Sequence, residues 1–176
     1  TLLTPVLTLA LVIGLVALAC TLLMLVPQNL YSTMSAPEFV TYMGIGDGEI
    51  RMDVRQTEGI DSATEQIALA LKQDTQVRQY AVLRTKSCPV VLEDGTIINL
   101  TVETGDHNIF PVSCLEGRLP GKQGEIALSS MNGEELGLTV GDTLKLMVDG
   151  KPVAHTICGI YSDITNGGKT AKAYDL

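Results

Sequence analysis

Residues 5–26 read PVLTLALVIGLVALACTLLMLV, 22 consecutive positions without a charged side chain. At ~1.5 Å of rise per residue this run covers ~33 Å as a helix, enough to cross a hydrocarbon core of ~30 Å. Leu, Ile and Val dominate it, and each favours insertion by roughly 0.3–0.6 kcal/mol near the bilayer centre. Thr8 and Thr21 are its only mild opponents. A cleaved secretory signal would need a basic flank and an apolar run of only ~7–15 residues, and this stretch has neither. The spacing predicts a transmembrane helix within residues 1–30.

Outward from that run, the charge map divides the chain in two. No residue from Thr1 to Pro37 is charged, so all 32 charges (12 basic, 20 acidic) fall in the remaining 139 of 176 positions. The second part is thus an acidic domain of ordinary charge density, and the formal net charge of -8 belongs to it. Scattered cations and the absence of Trp argue against nucleic acid as a partner. The first cation beyond Val26 is Arg51, so the flank leaving the helix lacks the Lys and Arg of a cytoplasmic side. This places the domain after residue 30 on the extracellular face of a cell membrane. A chain beginning with Thr also reads as a piece of a longer protein.

Residues 31–48 read as stalk and linker, with Pro37 and the run Gly44-Ile45-Gly46-Asp47-Gly48 as breakers; without a preceding strand that run is a turn, not a dinucleotide loop. Glu49–Arg55 (EIRMDVR) alternates like a half-buried strand. Asp61 and Ser62 are N-cap candidates for a helix whose stripe is Ala63, Ile67, Ala70 and Leu71, with Ser62 and Glu65 in capping-box spacing. A strand over 77–83 and a hairpin turning at Asp94-Gly95 complete a β-α-β-β reading, half of a split βαβ sandwich. From Cys114 the texture becomes short strands and Gly-rich turns: 125–129, one or two helical turns over 131–138, and 143–148 paired with 153–161 across Asp149-Gly150. The fold class expected is α+β.

The chain carries no constellation that points to catalysis. Gly168-Lys169-Thr170 ends like a phosphate loop, but Asp163 stands where its first Gly belongs. His107 and His155 lack ligand spacing, Ser129-Ser130 lacks a nucleophile elbow, and Glu134-Glu135 reads as a solvated face. Asn99-Leu100-Thr101 matches a glycosylation acceptor but falls inside a predicted strand. No cofactor or metal is therefore expected. Cys20 is an apolar filler of the membrane run. For Cys88, Cys114 and Cys158 two arrangements stay open: a Cys88–Cys114 bridge across the hairpin, or three buried thiols.

Several segments taken in order carry a resemblance: Gly117-Arg118-Leu119-Pro120, Gly124-Glu125-Ile126-Ala127-Leu128-Ser129, Leu136-Gly137-Leu138-Thr139-Val140-Gly141-Asp142 and Gly159-Ile160-Tyr161. Together with the leading helix they resemble the first transmembrane helix and extracellular domain of FtsX/MacB-type bacterial ABC-transporter permeases. The resemblance implies a porter-like β-α-β-β half at 49–112, an inserted β-rich, sabre-like lobe at 113–162 and a truncated return segment at 163–176. It makes Gly117, Arg118, Pro120, Glu125, Gly141, Asp142 and Gly159 structural motif residues, with Arg118 suited to tie down a loop carbonyl or carboxylate. It implies no enzymatic activity in this chain, a separate cytoplasmic ABC ATPase as partner, a second permease copy in a dimer, contact with membrane lipid, and an output of export or signalling. The rival reading is a single-pass, membrane-anchored extracellular binding or sensor module.

Overall fold

The computed structural model describes residues 3–55, 58–92 and 95–176. Its contacts separate two compact units, one up to Phe39 and one from Val40 onward. The first is helix α1, Leu3–Met34, 32 residues with no buried side chain. One helix long and apolar enough to cross a membrane is thus present among the described residues. It is apolar all round, as a lipid-facing helix must be. The hydroxyls of Thr8 and Thr21 donate to the carbonyls of Thr4 and Ala17 at 2.9 and 2.8 Å, which removes most of their cost in hydrocarbon. Pro27 lies inside the helix, which continues for two further turns into the region expected as a stalk.

The second unit is built on seven strands: β1 (Arg84–Val91), β2 (Ile97–Thr104), β3 (Cys114–Gly117), β4 (Glu125–Ser129), β5 (Thr143–Val148), β6 (Lys151–Tyr161) and β7 (Thr170–Ala173). They form one sheet in the order β3-β6-β4-β7-β2-β1-β5, and β5 pairs back onto β6. Six strands therefore close a ring, leaving β3 as an extra strand on β6. The closure depends on the length of β6. Its first half takes β5 as antiparallel partner, and its second half takes β4 in parallel.

Alternation along each strand sends one set of side chains inward. Cys88 and Val90, Leu100 and Val102, Ile126 and Leu128, Leu144 and Leu146, Ile157, and Ala171 and Ala173 form the interior cluster. The narrow β7 supplies only Ala. A second cluster, Val112, Leu119, Ala127, Cys158 and Tyr161, covers part of the outside. Three helices accompany the strands: α2 (Phe39–Tyr42) at the junction of the units, α3 (Ile60–Gln73), and α4 (Ser130–Leu136), whose N-cap Ser129 accepts from Asn132 N at 3.3 Å.

This architecture corrects several expectations. Glu49–Arg55 is not a strand: among the described residues it pairs with no other strand, and Ile50 and Met52 are 86% and 66% exposed. Residues 77–83 likewise form no strand, and β1 begins only at Arg84. Helix α3 starts at Ile60 behind Gly59, which lies in the left-handed region at φ 68°, so Asp61 and Ser62 are inside the helix and no side chain caps it. The β1–β2 hairpin forms, and Asp94 of its turn lies outside the described residues. That hairpin belongs to the same ring as β4–β7. The coarse class holds: a long apolar helix followed by a β-rich α+β domain.

Candidate functional site at the bulge of strand β6

The motif residues converge on the middle of β6. Between Ile126 and Ala127 the β4–β6 register slips, so that Ile126 faces Ile157 while Ala127 faces Gly159. Cys158 is the extra residue of a β-bulge. Its carbonyl, released from the ladder to β4, accepts from Arg118 N at 2.9 Å. One residue earlier on the same edge, Ile157 donates to Asp142 O and its carbonyl accepts from Gly141 N, both at 2.8 Å. The turns at 117–120 and 141–142 thus meet end to end along one edge of β6, filling the gap between β3 and β5.

Two glycines make the crossing possible. Gly117 has φ 69°, and a Cβ there would collide with the Cys158 carbonyl oxygen; a Cβ at Gly159 would collide with the Arg118 carbonyl oxygen. Pro120 is fully buried beyond the turn. Asp142 closes its own turn, its Oδ2 accepting from Thr139 N and Oγ1 at 2.8 and 3.0 Å.

Arg118 and Glu125 lock the first turn. The guanidinium donates to Glu125 Oε2 at 2.8 Å and to Leu119 O at 3.0 Å, and its second nitrogen pairs with Glu125 Oε1. Glu125 Oε2 also accepts from Gly121 N at 3.1 Å. The bidentate pair holds the Glu125 carboxyl down to about 2, helped by the Gly121 amide and opposed by desolvation. Arg118 thus binds a loop carbonyl and a carboxylate together.

A buried polar cluster lies beyond the bulge. Tyr161 Oη and Thr170 Oγ1 are 2.6 Å apart, and Thr170 Oγ1 donates to Asp163 Oδ2. Asp163 Oδ1 accepts from Thr165 N and Oγ1, both at 2.7 Å. Burial pushes the Tyr161 phenol far up. Lys172 lies 5.3 Å from the Tyr161 ring centroid, and its Nζ is 3.4 Å from Glu103 Oε2. His107 packs beside them with Nε2 3.0 Å from Glu103 O; burial and the Lys172 charge lower its pKa. His155 is buried separately on β6, with Nδ1 3.2 Å from Val153 O.

Sequence reasoning compared 168–170 with a phosphate loop and missed what Asp163 does there. Its carboxylate takes the hydroxyl and amide donors of its own loop, while Lys169 pairs with Glu135 at 2.5 Å. An internal anion therefore sits among the donors a phosphate would need. The one sequence signal was an Asp two residues before a Thr, the spacing of a local side-chain-to-backbone turn.

The four cysteines are free thiols. The hairpin does not bring Cys88 and Cys114 together. Cys88 belongs to the ring interior on β1, whereas Cys114 packs with the outer cluster on β3, which pairs with β6. The chain between β2 and β3 carries Cys114 away from the hairpin. Desolvation pushes all three domain thiols up, Cys158 to about 11 with the Glu125 charge adding to it. The turns are thus braced by backbone hydrogen bonds and by Glu125, which pairs with Arg118 and, at 3.7 Å, with Lys122.

No family model and no curated protein matches this chain. Among solved structures it is similar to a domain of a candidate permease protein from Porphyromonas gingivalis, at 16% identity and a TM-score of 0.46. The match covers 60% of this chain and 50% of that one, so the chain spans about half the length of the structure it matches.

Proposed function

We propose that this chain is part of a membrane permease subunit of the FtsX/MacB type, which carries motion from a partner ATPase to an external domain for export or signalling. The observation that carries the reading is the shortness of the link between helix and domain. Helix α1 ends at Met34, and Thr41 already hydrogen-bonds Ser113 of the β-domain at 3.1 Å, so only residues 35–40 intervene. A tether of six residues passes on displacement that a long flexible linker would absorb. The ordered motif segments that resemble this permease type supply the rest of the argument. In this reading the domain lies outside the cell membrane, a cytoplasmic ABC ATPase and a second permease copy are the partners, and the chain performs no catalysis itself.

Inserting a flexible Gly-Ser segment between Asn29 and Pro37 of the complete protein tests it. Loss of export or signalling with ATP hydrolysis retained is the expected outcome, and unchanged output overturns the proposal. A membrane-impermeant thiol reagent, applied to intact cells carrying a cysteine in place of Ser35 or Asp149, tests sidedness. The rival reading, an anchored binding or sensor module, draws on one observation: six strands close a ring within residues 84–173.

A further inference from the structure

Strands β3 and β6 are paired at Cys114 and Tyr161 and diverge beyond those two residues. Divergence would leave the amides of the flanking loops without ladder partners, a cost that buried backbone avoids. Two of those amides are satisfied by the segment that enters the domain. Ser113 N donates to Thr41 O at 2.9 Å, and Ile164 N donates to Met43 O at 3.2 Å. The Thr41 and Ser113 hydroxyls meet at 3.1 Å. The fit is close on both sides. At Gly44, with φ 80°, a Cβ would collide with the Ser162 carbonyl oxygen; at Gly46 it would lie 2.8 Å from the Phe110 carbonyl oxygen.

We infer that residues 41–46 form a strap wedged between the 110–113 and 162–164 loops, holding them as one body and serving as the point where motion enters the domain. The first half of this inference concerns the β-domain alone; the second rests on the permease reading. Behind the strap, Asp163 leads directly to Thr170 and Tyr161 in the buried polar cluster. Displacing the strap therefore pulls on the ends of β6 and β7 together. The glycines are required because any side chain at 44 or 46 would push the strap off one loop.

Amide hydrogen exchange on the full chain in detergent micelles, without any ATPase, tests the strap and leaves the permease reading a separate question. Gly44→Val is expected to speed exchange at both Ser113 and Ile164 by roughly tenfold or more, with Val102 and Ala171 of the ring unchanged. Faster exchange at Ile164 alone, or at neither, overturns the inference. Should Gly44→Val loosen the ring as well, Thr41→Val repeats the test with both glycines in place. It is expected to speed exchange about threefold at Ser113 and also at Ile164, which it does not touch. An increase confined to Ser113 would mean two independent contacts and no strap.

Discussion

Residues 49–55 and 143–148 have the same alternating pattern, Ile50, Met52 and Val54 in one and Leu144, Leu146 and Val148 in the other, yet only the second is a strand. The difference is what lies beside them. Leu144 and Leu146 are 3% and 0% exposed because β6 returns across Asp149-Gly150 and β1 closes the other edge. Ile50 and Met52 have no neighbouring edge and remain in solvent. Periodicity specifies which face a strand would bury; it does not supply the partner that makes the strand.

The comparison breaks most severely inside the ring. Leu128→Ala, at a side chain with no exposure, is expected to lower unfolding free energy by about 3–5 kcal/mol, read from urea denaturation followed by circular dichroism. A loss under about 1 kcal/mol would mean that the ring is not the core.

The next effect belongs to the brace at the bulge. Glu125→Gln keeps the shape and removes the charge, and should cost about 2 kcal/mol at pH 7. Because the folded carboxyl is held at about 2, against 4.5 ordinarily, this contribution is fully present above pH 4.5. It disappears as pH falls from 4.5 through about 2, so the wild-type and variant denaturation midpoints should converge across that window. A constant gap would mean that the pair is not the source.

A smaller effect is expected in the polar cluster. Tyr161→Phe removes the hydroxyl bonded to Thr170 while keeping the ring under Lys172, at a cost of about 1 kcal/mol. A change larger than that of Leu128→Ala would show the cluster, and not the ring, to dominate stability.

The smallest effect sharpens the comparison from its other side. Ile50→Ala with Met52→Ala should shift stability by less than about 0.5 kcal/mol, and the amides of 49–55 should exchange without protection. Slow exchange there would reveal a partner edge.

Elements whose partners follow closely in the chain were legible. β5 falls where alternation places it, beside β6 across Asp149-Gly150, and the β1–β2 hairpin follows its turn signal. Helix α3 was legible by its stripe, but its start was not, because the capping-box pattern at Ser62 and Glu65 competes with a glycine that begins the helix earlier. The motif residues 117–120, 125, 141–142 and 159 could be named from sequence, while their meeting at one bulge could not. That meeting depends on a one-residue register slip between β4 and β6, strands separated by 21 intervening residues (130–150), and local pattern carries no information about such a slip.

By itself, the sequence determined the apolar helix, the acidic character of the domain and the direction in which most strands turn their faces, since these depend on side-chain hydration and on the periods of helix and strand. Only the tertiary structure decided the closed ring, the four free thiols, the strap at 41–46 and the role of Asp163 as an internal anion. Each of these depends on which distant backbone groups share an edge. That choice is made by burying the most apolar surface while leaving the fewest amides and carbonyls unpaired, a property of the whole chain and of no single segment.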